Sequence, residues 1–199
     1  MSRFFRGTSW AAALLLLTLP ASAGTWNIDT SHSSVQFAVR HMMVSTVRGE
    51  FTKVTGTVEL DESDLSKSRI EATIDATTVD TREPKRDAHL KSPDFFDVAN
   101  NPTIAFKSKS VAKAGAGFKV TGDLTLRGVT KEVVLDVDPL SDQIKDPGGN
   151  LRTGTTARTK INRKDFGVSW NRALDAGGVV VSDEVTITID VELIQRKQQ

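Results

Sequence analysis

The stretch VTITIDVEL, Val185 to Leu193, sets Val185, Ile187, Ile189, Val191 and Leu193 on one face and Thr186, Thr188, Asp190 and Glu192 on the other. A period of two built from β-branched residues is a half-buried β-strand, apolar toward a core and polar toward water. The same alternation recurs at Val35, Phe37 and Val39, at Ile70, Ala72 and Ile74, and at Ile104 and Phe106. It returns at Val120, Gly122, Leu124 and Leu126, and at Val133, Leu135 and Val137. Residues 47–60 and 154–161 read as strands of less regular pattern. About eight strands with one apolar face each predict antiparallel pairing, because parallel sheets are buried on both faces.

Turn chemistry separates these runs at Gly115-Ala116-Gly117, Asp146-Pro147-Gly148-Gly149 and Ala176-Gly177-Gly178. Only two stretches read as helical. One runs from Glu83 to Lys91, with Thr81 as its cap and Pro84 in the first turn; the other is a single turn over residues 41–46. Neither is long enough to cover a sheet, so the apolar faces meet another sheet or close on themselves. Several strands approach ten residues, roughly 33 Å at ~3.3 Å each. Eight strands closed into a barrel leave room for packed side chains or one small ligand. Small candidates for the inner face are Ala72, Ala76, Gly122 and Ala157, with Phe37, Phe106 and Ile187 lining it. Sandwich cores also mix small and large residues, so the pattern alone leaves barrel and sandwich both open.

Composition narrows the class. The chain has 199 residues, 26 basic against 25 acidic side chains, 38% hydrophobic residues, and neither cysteine nor tyrosine. So balanced a charge does not suit a protein that binds nucleic acid by neutralising phosphates. Lack of cysteine excludes a disulfide scaffold, thiolate metal sites and a cysteine nucleophile. The first 23 residues read as a secretory signal peptide: Arg3 and Arg6, an apolar run from Ala11 to Leu19, Pro20, then the small-x-small Ala21-Ser22-Ala23. That run is too short to span a membrane, so no stable span is expected after cleavage. Removing Arg3 and Arg6 leaves 24 basic against 25 acidic residues, a mature domain over 24–199 with formal charge −1 in the periplasm.

Catalytic motifs are sparse. The three histidines, His32, His41 and His89, show no metal-ligand spacing, and no serine sits in a nucleophile elbow. No metal and no cofactor is expected. Apolar residues in loops stand out instead: Met42 and Met43 at a reversal, Phe95 and Phe96 among turn residues, and Phe166, Val168 and Trp170 in DFGVSWNR. They read either as plugs of the barrel ends or as an apolar mouth for a long ligand.

At these residues the chain resembles a known family. HSSVQFAVRHMMVSTVRGEF (32–51), DTREPKRDAHLKSPDFFDVANNPTIAFKS (80–108), GDLTLRGVTKEVVLDV (122–137) and NRKDFGVSWN (162–171) are together similar to the YceI-like family of bacterial periplasmic proteins. The resemblance implies an all-β fold, an antiparallel eight-stranded lipocalin-like barrel with one or two short helices around a long apolar pocket. It also implies a polyisoprenoid, isoprenoid quinone or fatty-acid derivative as ligand, and a homodimer among its assemblies. It carries no catalytic residues. On the matched positions it implies ligand contacts at Phe37, Val39, Met42, Met43, Phe95, Phe96, Leu124, Leu126, Phe166 and Trp170, with His41, Arg48 or Asn171 at a head group. The expected function is binding without chemistry. Two rivals are a lipid-modifying enzyme with His41 or His89 as base, and a stress-response or assembly module with a packed interior.

Overall fold

The computed structural model describes residues 24–61, 63–175 and 177–195. The signal peptide expected over 1–23 lies outside the described residues. Three bent staves come first: β1 (Gly24–Ile28) with β2 (Ser34–His41), β3 (Ser45–Phe51) with β4 (Val54–Leu60), and β5 (Arg69–Asp75) with β6 (Val79–Asp80). The helix α1 (Pro84–Lys91) follows, then β7 (Thr103–Ala114), β8 (Gly117–Leu126) and β9 (Val129–Val137). After the short β10 (Ile144–Lys145) come β11 (Leu151–Asn162) and β12 (Glu184–Gln195). All pairings are antiparallel, and β12 joins β11 on one side and β1 with β2 on the other, closing an eight-stranded barrel. Barrel, not sandwich, is therefore the outcome.

The alternation read from sequence points where expected. In β12 the register Ile187↔Phe37 and Ile189↔Val35 sets apolar residues of neighbouring staves side by side on the inner face. In β7 the phase changes: Ile104 and Phe106 point inward, and then Val111 does, because a bulge between Ser108 and Ser110 inserts a residue. The narrowest seam is β9–β11, where only Val137↔Ala157 and Asp136↔Arg158 pair directly. Threonine hydroxyls lengthen it, Thr159 Oγ1 donating to the Val134 carbonyl and Thr155 Oγ1 to that of Asp138, each at 2.8 Å.

Two local expectations are corrected. Residues 41–46 form no helical turn but a hairpin with a three-residue loop, Met42 to Val44, in which the Val44 amide returns to the His41 carbonyl and the two central residues of that turn are Met42 at φ 50° and Met43 at φ 59°. Both central residues are left-handed, the geometry of the hairpin turn whose twist matches the strands and which usually takes Asn-Gly. And α1 is capped by Glu83, whose side chain accepts from the Lys85 amide. Thr81 turns its hydroxyl to Asp87 instead, because the chain passes Arg82 at φ 62° and carries Thr81 out of the capping position.

Outside the barrel, Arg152 ties four segments together. Its guanidinium donates to Asp29 at 2.6 Å, to Asp146 at 2.9 Å and to Glu192. Arg152 and then His32 hold the Asp29 carboxyl well below the usual carboxylate range. Asn150 and then Arg152 draw Asp146 down from 3.8 to about 2.

Candidate binding cavity

The inner faces of the staves enclose a cavity of about 690 Å³. The inward positions of β12 (Val185, Ile187, Ile189, Val191 and Leu193) form one wall; Val35, Phe37 and Val39 of β2 and Ile70, Ala72 and Ile74 of β5 add others. The lining is apolar along nearly its whole length. Gly122 does not open space: a Cβ there would lie 2.5 Å from the Phe106 ring, which folds across the glycine. Ala72 and Ala157 do line the cavity, while Ala76 is buried outside it.

Charged lining is concentrated at one end. There the capping residue Glu83 and Lys85, Arg86 and His89 of α1 line the cavity, with Glu83 and Lys85 exposed, so the cavity meets solvent beside the helix. Arg86 fixes the helix over this mouth, donating from Nε to Thr81 Oγ1 at 2.7 Å and from Nη2 to the Thr81 carbonyl at 2.9 Å. At the opposite end Leu60, Leu65, Phe118 and Leu140 line the cavity, and Trp26 is fully buried.

Two aromatic clusters narrow the mouth. Phe37, Phe51 and Phe96 meet at centroid distances of 5.4 to 6.5 Å. Edge-to-face packing of this kind adds to area burial. His89 stands edge-on to Phe95 and to Trp170, each at 5.0 Å, and its Nε2 is 2.9 Å from Asp94.

The sequence-expected contacts divide. Phe37, Val39, Phe95, Phe96, Leu124, Leu126 and Trp170 line the cavity, as does His41. Phe166 is buried in the core but does not line it. Met42 and Met43 project at the hairpin tip, away from the lining. Arg48 is exposed and does not line the cavity, and the Asn171 side chain is spent on the backbone of Val181, donating to its carbonyl and accepting from its amide. Sequence reading passed over Arg163, a lining residue only 4% exposed. It donates to the carbonyls of Ser182, Val168 and Trp170 at 2.7 to 2.9 Å and pairs with Asp183. Burial pulls its pKa below the ordinary arginine value. By gathering these carbonyls it holds the segment carrying Trp170 against the mouth. The signal was a basic residue heading the aromatic run DFGVSW.

Away from the cavity, Asp29, His32 and Glu192 converge closely enough to hold a metal ion. The same Asp29 and Glu192 oxygens already accept from Arg152, so a cation occupies that donor set.

The fold and sequence have known counterparts. The family described as "YceI-like domain" matches residues 26–193. "Protein YceI" of Salmonella newport (strain SL254) is 39% identical over 188 residues, covering 94% of this chain and 95% of the relative. The crystal structure of the Campylobacter jejuni YCEI protein superposes with a TM-score of 0.67 at 28% identity, over 79% of this chain and 90% of that one. A polyisoprenoid binding domain from Saccharophagus degradans shares the fold at TM-score 0.61 and 16% identity, over 88% and 99% of the two chains.

Proposed function

This chain belongs to the YceI-like family, and from that premise we propose that it is a periplasmic carrier holding one long apolar chain inside its barrel, without catalysis. The observation that carries the reading is the cavity of about 690 Å³ with apolar walls from the inner faces of the staves. Its size falls within the usual ~300–1,000 Å³ of ligand pockets. A polyisoprenoid, an isoprenoid quinone or a fatty-acid derivative suits it, and the Saccharophagus neighbour is itself described as polyisoprenoid binding. Each CH₂ taken from water contributes roughly 0.8 kcal/mol, less the cost of association and of ordering a flexible chain.

We assign chain contacts to Phe37, Val39, Phe95, Phe96, Leu124, Leu126 and Trp170, and place a head group near His41 at the mouth. The signal peptide at 1–23 and export to the periplasm belong to the same proposal, as does a homodimer. Native mass spectrometry after gentle purification tests it: the expected spectrum shows a co-purified lipid or isoprenoid, or uptake of added long-chain isoprenoid. A bare protein that takes up none overturns it.

A second reading has one observation in its favour. Asp94 pairs with His89 Nε2 at the mouth, the arrangement of an oriented acid–base group. An enzyme acting on a lipid head group there would lose turnover in His89→Ala; no hydrolysis of lipid ester or phosphate by the parent protein removes that reading.

A further inference from the structure

The Met42–Met43–Val44 tip takes no part in the cavity, yet it is the most exposed apolar feature of the barrel. Met42 is 43% exposed, Met43 62%, Val44 80%, and Val179 beside them 37%. We propose that this tip is a membrane-contact element that seats the cavity mouth on an anionic lipid bilayer. The function of such contact rests on the apolar-chain reading above, since it lets a chain pass between bilayer and barrel without crossing water.

Position is the first argument. His41, just before the tip, lines the cavity, and so do Val180 and Val181, just after Val179. The second is rigidity. The Met42 amide donates to the Val180 carbonyl at 2.8 Å, the Val44 amide to that of His41 at 3.0 Å, and Arg40 Nη2 to that of Met43 at 2.8 Å. These bonds use backbone groups that would otherwise need water, which favours entry into an interface poor in it.

Charge decides the occupant. On the two rim segments, 39–48 and 171–181, the charged side chains are Arg40, Arg48 and Arg172 against Asp175 alone. None of the three arginines has a carboxylate partner among the described residues, so their charge is not neutralised by the protein. Exposed apolar side chains beside cations that no carboxylate neutralises match an interface of acyl chains beneath anionic head groups. An acidic protein surface would satisfy the arginines but leave the apolar tip unexplained.

Flotation of the purified protein with phosphatidylcholine vesicles, with and without phosphatidylglycerol, tests this. The protein is expected to float with the anionic vesicles and to detach as salt rises. Val44→Asp should weaken vesicle binding by about tenfold or more, with unchanged melting and unchanged uptake of a fluorescent fatty acid. Arg172→Gln should weaken binding to anionic vesicles only. Failure of the parent protein to float, or equal flotation of Val44→Asp, overturns the proposal. So does a tip variant that alters only the sedimentation state, which would make the tip a contact between copies. Ala157→Phe separates the two readings: filling the cavity should abolish fatty-acid uptake and leave flotation intact, whereas a parent protein that floats but takes up no fatty acid counts against the cavity and not the tip.

Discussion

Gly122 and Arg163 show at the residue scale how the barrel wall is set. Glycine at 122 lets the Phe106 ring lie across the strand; a Cβ would meet that ring at 2.5 Å and the Lys107 carbonyl at 2.6 Å. Since backbone and ring are both close, Gly122→Ala is an overpacking change and should cost about 1–3 kcal/mol in urea unfolding. Arg163 is the opposite case, a buried cation whose planar guanidinium gathers the carbonyls of Val168, Trp170 and Ser182. Lysine carries the charge but not the planar fork, so Arg163→Lys should cost about 2–3 kcal/mol and quench or shift Trp170 fluorescence as the mouth loosens. Neither role was legible in the sequence. Gly122 read as empty space because a sequence does not show which ring crosses it, and Arg163 gained its partners only when residues 168–183 folded back over it.

Among the elements, β12 was the most legible, since its register of two depends only on its own side chains. The bulge in β7 and the break between β3 and β4 were hidden, because both arise from the curvature needed to close the barrel. The Arg152 network was hidden for the same reason, its partners coming from distant segments. It predicts an acid response. A carboxyl whose folded pKa is depressed stabilises the fold above its unfolded value and loses that contribution as pH falls through its folded value. With Asp146 moved from 3.8 to about 2, the contribution is full above about pH 4 and gone below about pH 2. Thermal melts across this window should show Tm falling on acidification. Arg152→Met should lower Tm by a few degrees at neutral pH and flatten the fall in acid; an unchanged profile would show that the network is stabilised by something other than Arg152.

For the whole molecule, the account is of a closed barrel whose inner surface is largely apolar and whose charged lining gathers at one mouth. Of the site residues expected from sequence, the apolar ones on strand faces (Phe37, Val39, Leu124 and Leu126) reached the cavity, as did His41 and the loop aromatics Phe95, Phe96 and Trp170, whereas Arg48 of β3 faces outward. Met42, Met43, Phe166 and Asn171 did not, because loop residues carry no periodicity to say which way they face. The central claim is that the cavity holds a chain by burying it. Calorimetric titration with isoprenoid alcohols of increasing length tests this most directly. The account predicts affinity that rises with each added unit, with a negative heat-capacity change, until the chain fills the cavity and the gain levels off. Affinity independent of chain length, or no binding by the folded protein, would contradict it.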